Sequence, residues 1–128
     1  MIVRALQEIE GTVRDVRGAG WRSRRLLLRD DGMGFSLSET TVAAGAELSL
    51  WYKHHLEACY CISGTAEIQE LGTGARHRLA PGMVYALDRH DRHTLRALEE
   101  LHLVCVFSPA LTGGETHDAD GSYLPAAD

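Results

Sequence analysis

A chain of 128 residues, with 13 lysines and arginines against 18 aspartates and glutamates and a net charge of -5, is about one domain long and can bury roughly two-thirds of its unfolded surface. It offers phosphate backbones and anionic membranes no positive field, so neither nucleic acid nor a membrane is an expected partner. Three cysteines, two of them spaced CxC at Cys59 and Cys61, fit neither a disulfide framework nor a zinc knuckle.

The opening MIVRALQEIEG carries charges and lacks the apolar centre of a secretory signal. No later run approaches the ~20 apolar residues of a membrane span, and a cytoplasmic protein is the expectation. Beyond it, short runs rich in Val, Leu, Thr and Tyr alternate with glycine turns. Strands are expected at 12–16, 21–28, 35–42, 47–52, 58–62, 65–69, 76–79, 83–87, 93–97 and 101–107. Turns fall at Asp31-Gly32, Ala44-Gly45, Ser63-Gly64, Gly72 to Gly74 and Pro81-Gly82. Such spacing predicts an all-β sandwich or small barrel, a single domain over 1–128 with few short helical turns. After Pro109, the polar and acidic ALTGGETHDADGSYLPAAD is either a tail or a lid.

Chemistry-bearing side chains cluster on a few strands. Trp21, Ser23 and Arg25 share one face of their strand, and Arg22 and Arg24 point the other way, toward solvent. KHHLEACYC at 53–61 concentrates five ligand-type side chains. His54 and His55 are adjacent, so at most one points into a barrel, and His55 is a candidate to orient Glu57. Cys59 and Cys61 share a face and read as packing.

Two glycine-framed patterns run through this region. Gly45 is followed after five residues by Trp51-Tyr52-Lys53, then by Glu57 and by Gly64. Gly82 is followed after five by Asp88-Arg89-His90 and then by His93, with Ala97 beyond. They resemble the motifs G-x5-HxH-x3,4-E-x6-G and G-x5-PxG-x2-H-x3-N of the cupin superfamily, whose barrels hold a metal on three His and one Glu. Here the glutamate and the last histidine match, the HxH pair is replaced, and His90 stands where the second motif has glycine.

Longer strings, WRSRRLLLRDDGMGFS at 21–36, WYKHHLEACYCISG at 51–64, PGMVYALDRHDRHTLRA at 81–97 and LVCVFSPALTGGETHDADGSY at 103–123, resemble the ectoine synthases, a cupin family. The resemblance implies a cytoplasmic homodimer with a jelly-roll cupin barrel. It implies a hydro-lyase that closes N4-acetyl-L-2,4-diaminobutanoate to the compatible solute ectoine, made under osmotic stress. Fe(II) is implied on Glu57, Tyr85 and His93, a mixed N/O set suited to it. The implied substrate contacts are Trp21, Arg25, Thr40, Tyr52, Phe107 and Glu115, with Cys105 as a pocket wall, Arg25 as partner of the carboxylate and Glu115 as the base. Ser38 departs from the larger polar residue expected there. Two other readings compete: an iron cupin dioxygenase or isomerase acting on another small molecule, and a ligand-binding cupin sensor.

Overall fold

Side chains that alternate along short runs give each run one apolar and one polar face, and the chain folds into ten such strands. The computed structural model describes residues 1–125. Its strands are β1 (Asp15–Gly18), β2 (Trp21–Leu27), β3 (Ser36–Val42), β4 (Glu47–Leu50), β5 (Leu56–Ser63), β6 (Ala66–Glu70), β7 (Arg76–Leu79), β8 (Val84–Leu87), β9 (His93–Ala97) and β10 (Leu101–Ser108). One helical turn, α1 (Leu6–Ile9), and a 3-10 turn at Arg29–Asp31 complete the regular structure. The antiparallel strands form two sheets, ordered β1-β2-β3-β10-β5-β8 and β4-β9-β6-β7. This is the expected all-β cupin architecture.

The inner faces of the sheets meet in two adjoining apolar clusters. Cys59, Cys61, Ile68, Leu79, Leu95, Leu103 and Cys105 belong to one; Leu28, Leu50, Tyr52, Leu87, Phe107, Leu111 and Tyr123 belong to the other. Tyr85 packs against both, so the groups beside it sit where the two halves of the core join. Gly64, which ends the first motif, has φ +85, and an added Cβ there lies 2.1 Å from the Glu100 carbonyl oxygen; only glycine fits. The corresponding glycine of the second motif is His90, which keeps the left-handed backbone at φ 53.

Most boundaries differ from expectation by one to three residues, and three of these differences bear on the site or have a local reason. The first strand begins at Asp15 rather than at 12, because Thr12 Oγ1 donates to the Ile9 carbonyl at 2.5 Å and Asp15 accepts from the Gly11 amide at 2.9 Å, closing a turn. β4 stops at Leu50 because the Trp51 amide donates to the Gly121 carbonyl at 2.9 Å instead of to a ladder. β5 begins at Leu56, so Glu57 lies within a paired strand, opposite Leu87 on one side and Phe107 on the other.

Arg22 and Arg24 do point outward, yet they are only partly exposed and are paired rather than merely solvated. Arg22 grips Asp15 through two bonds of 2.9 and 2.8 Å, and Arg24 pairs with Glu10 and Glu39. No helix among the described residues is long and apolar enough to cross a membrane.

Candidate active site

Strand alternation carries Glu57 and Cys59 inward from β5 and Cys105 and Phe107 inward from β10. Cys105 is the cross-strand partner of Cys59, whose other partner is Tyr85 on β8. His93 enters from the opposite sheet, at the start of β9, and its ring meets that of Tyr85 edge-on with centroids 6.3 Å apart. Glu57 and His93 are buried, and His93 is fully so.

The His93 ring is set for ligation. Its Nδ1–H donates to the Asp91 carbonyl at 2.9 Å, which fixes the tautomer and leaves the Nε2 lone pair free. Nε2 is buried and has no hydrogen-bond partner among the described residues. Burial also lowers the pKa of this imidazole, keeping it neutral. Among the described residues no cation pairs with Glu57; burial pushes its carboxyl up to about 7, against the opposing pull of the Cys59 and Cys105 thiols. The Tyr85 phenol is driven up by burial and by its neighbours Cys59 and Glu57. Tyr85 and His93 line one space, and Glu57 and Tyr85 line another; the orphaned imidazole nitrogen and the buried carboxyl are each donor groups of the kind a metal cation completes.

A pH effect follows. In the metal-free protein the unfolded chain loses the Glu57 proton above about 4.5, while the folded chain holds it to about 7. Stability therefore falls as pH rises through that window. Half-buried His117, its pKa pushed down to about 4, acts in the opposite direction, so the comparison must be with a variant. Glu57→Gln, denatured with urea in chelator, is expected to gain on the wild type between pH 5 and pH 8 by up to about 3 kcal/mol. Equal pH dependence of the two proteins contradicts a protonated Glu57.

The remaining expected contacts divide. Trp21, Ser23, Thr40, Tyr52, Glu57, Cys59, Tyr85, Cys105 and Phe107 line an interior cavity of about 40 Å³, room for a few waters and not for an amino acid. Tyr85 and His93 also line a neighbouring space of about 260 Å³ toward Asp88, Asp91 and His77. Arg25 and Glu115 do not line the interior cavity. The fully buried Arg25 donates to the carbonyls of Gly113 and Glu115, to Tyr123 Oη at 3.4 Å and to Ser23 Oγ at 3.3 Å. The Glu115 carboxylate accepts from the Thr112 and Gly113 amides at 2.7 Å each and lies 3.8 Å from Arg25. Both therefore fasten the C-terminal segment. Ser38, on β3, is buried.

The part of that segment within the described residues is docked over the barrel. Tyr123 stacks on His117 at 4.6 Å and tilts against Tyr52 and Phe107. His117 shares a 2.7 Å hydrogen bond with the Tyr52 hydroxyl and lies edge-on to Trp21. Gly121, at φ +74, passes so close to β4 that a Cβ meets the Ser49 carbonyl at 2.1 Å. His117 and Tyr123 are cavity-lining residues to which the sequence assigned no role, and Cys59, expected as packing, lines the cavity beside Glu57. Cys59 carried a signal, since Glu57, Cys59 and Cys61 alternate on one face; His117 and Tyr123 lie in coil, which has no period to read.

His54 is exposed and His55 is buried against Phe107 and Tyr123. No hydrogen bond joins His55 to Glu57 among the described residues; its carbonyl and that of Tyr52 instead accept from His90 Nδ1 at 3.1 and 2.9 Å. His90 thus ties the loop before Glu57 to the loop before His93.

The sequence model of the ectoine synthase family matches residues 1–127. The L-ectoine synthase of Desulfosudis oleivorans is 60% identical over 124 residues, covering 96% of each chain. That of Alkalilimnicola ehrlichii is 57% identical and covers 96% of this chain and 94% of its own. The crystal structure of ectoine synthase from P. lautus superposes with a TM-score of 0.84 at 53% identity, over 88% of this chain and 80% of that one. A cupin 2 conserved barrel domain protein from Salinispora arenicola, 23% identical, shares the fold at a TM-score of 0.66, over 84% of this chain and 88% of that one.

Proposed function

From the premise that the chain belongs to the ectoine synthase family, we propose that it is an Fe(II)-dependent hydro-lyase closing N4-acetyl-L-2,4-diaminobutanoate to ectoine with loss of water. The observation that carries this reading is the family match along nearly the whole chain. The free Nε2 of His93 beside Tyr85 supports the metal.

Glu57, Tyr85 and His93 hold the ion, which when bound supplies Lewis-acid polarisation of the acetamide carbonyl. Trp21, Tyr52 and Phe107 fold the substrate so that its amine faces that carbonyl, and orientation of this kind can contribute several kcal/mol. Thr40 offers a hydroxyl at the same wall. The docked segment excludes water once closed, and the small volume beneath it supports a lifting motion that admits substrate. Glu115, expected to take the amine proton, reaches the interior only by releasing the Thr112 and Gly113 amides. The Tyr52–His117 pair already faces it, with His117 held neutral by burial. We assign the fastening of the closed segment to Arg25 and Glu115 and a substrate-facing position to His117, whose pKa of about 4 makes it too weak a base to hold the amine proton.

Leu56, Tyr60, Ile62, Met83 and Val84 form exposed apolar surface on β5 and beside the β8 edge, and this supports a homodimer built on that face. A cytoplasmic setting keeps the three free cysteines reduced. The competing dioxygenase reading is separated on an oxygen electrode. Turnover of the acetylated diamino acid is expected to proceed without dioxygen uptake, and uptake in step with turnover contradicts the cyclase.

A further inference from the structure

The buried sulfurs of Cys59 and Cys105 are not used by the reaction proposed above. They are 3.4 Å apart on directly paired residues of β5 and β10. With the Glu57 carboxylate they form a group of three buried donor atoms, all within 4.8 Å of one another. Two sulfurs each about 2.3 Å from a tetrahedral Zn(II) stand about 3.8 Å apart, so the observed pair needs only a few tenths of an ångström of relaxation. The strand pairing that fixes their spacing is continuous on both sides, from Phe107 opposite Glu57 to Leu103 opposite Cys61. Tyr85, the cross-strand partner of Cys59 on β8, stands beside that sulfur as an outer contact. Cys61, further along the same face, instead directs its sulfur to the Ser63 and Gly64 carbonyls at 3.6 Å.

We propose that Glu57, Cys59 and Cys105 form a second metal position inside the barrel, one that takes a thiophilic divalent cation such as Zn(II) or Co(II). Binding releases the two thiol protons, and the carboxyl proton where Glu57 holds one, to solvent and forms two metal–sulfur bonds and one metal–oxygen bond, leaving a fourth position for water. The position shares Glu57 with the Tyr85 and His93 donor set, so a cation held by sulfur competes for that carboxylate with one held by those residues. Zn(II) is then a competitor of Fe(II) for this protein. The inference does not rest on the proposed reaction, because sulfur ligation is read from the metal and not from turnover.

The full-length protein, purified with a non-thiol reductant and loaded anaerobically with one equivalent of Co(II), is expected to show an intense thiolate-to-cobalt charge-transfer band in the near ultraviolet. Cys59→Ser and Cys105→Ser are each expected to weaken that band and to lower Zn(II) affinity at least about tenfold, while Cys61→Ser and His93→Ala keep it. Zinc X-ray absorption on the unmutated protein needs no variant to fold and is expected to count two sulfurs at about 2.3 Å. A cobalt spectrum without the band, a band untouched by both serine variants, or a zinc spectrum with only oxygen and nitrogen neighbours overturns the proposal.

Discussion

His93→Ala is expected to leave the purified protein without iron and to lower turnover at least about a hundredfold, since even the partner groups behind a ligand are commonly worth ten- to a hundredfold. The fold should survive, because among the described residues the side-chain hydrogen bond lost is the one from Nδ1 to the Asp91 carbonyl. Glu57→Ala and Tyr85→Ala are expected to behave alike, each removing an inward donor from one of two adjacent strands. Iron content by elemental analysis and turnover are the two readouts. Full iron and full turnover in all three variants mean that the metal is held elsewhere.

Arg25→Met is expected to unfasten the C-terminal segment without unfolding the barrel. The guanidinium is the one group that reaches the Gly113 and Glu115 carbonyls and the Tyr123 hydroxyl together. Its loss strands two half-buried carbonyls, at no more than about 1–3 kcal/mol apiece. Amide exchange at 110–125 should rise well above that of β5 and β10, and turnover should fall by at least about tenfold as water enters the cavity. Arg25→Lys should not rescue it, because a point charge cannot span a fork of acceptors. Unchanged exchange in this segment contradicts the fastening role.

Glu57 and His93 were legible because glycine spacing survives even where the histidine pair does not. The strands were legible because alternation and turn glycines are local signals. The pairing of β5 with β10, separated by four intervening strands, has no local signature, so Cys59 and Cys105 read as packing and wall rather than as neighbours. The strand face of Trp21, Ser23 and Arg25 read correctly, yet what occupies Arg25 comes from residues 88 to 98 positions away in sequence. His90 shows the same limit from the other side. A motif glycine was seen to be replaced, but only the backbone angle shows that its conformation was kept and only the structure shows that its ring ties two loops.

One measurement tests the central claim most directly. The purified protein is incubated anaerobically with Fe(II) and N4-acetyl-L-2,4-diaminobutanoate, and the mixture is analysed for ectoine by chromatography against the authentic compound. Formation of ectoine, abolished by a chelator and restored by Fe(II), is the predicted result. Unreacted substrate in the iron-loaded, folded protein contradicts it.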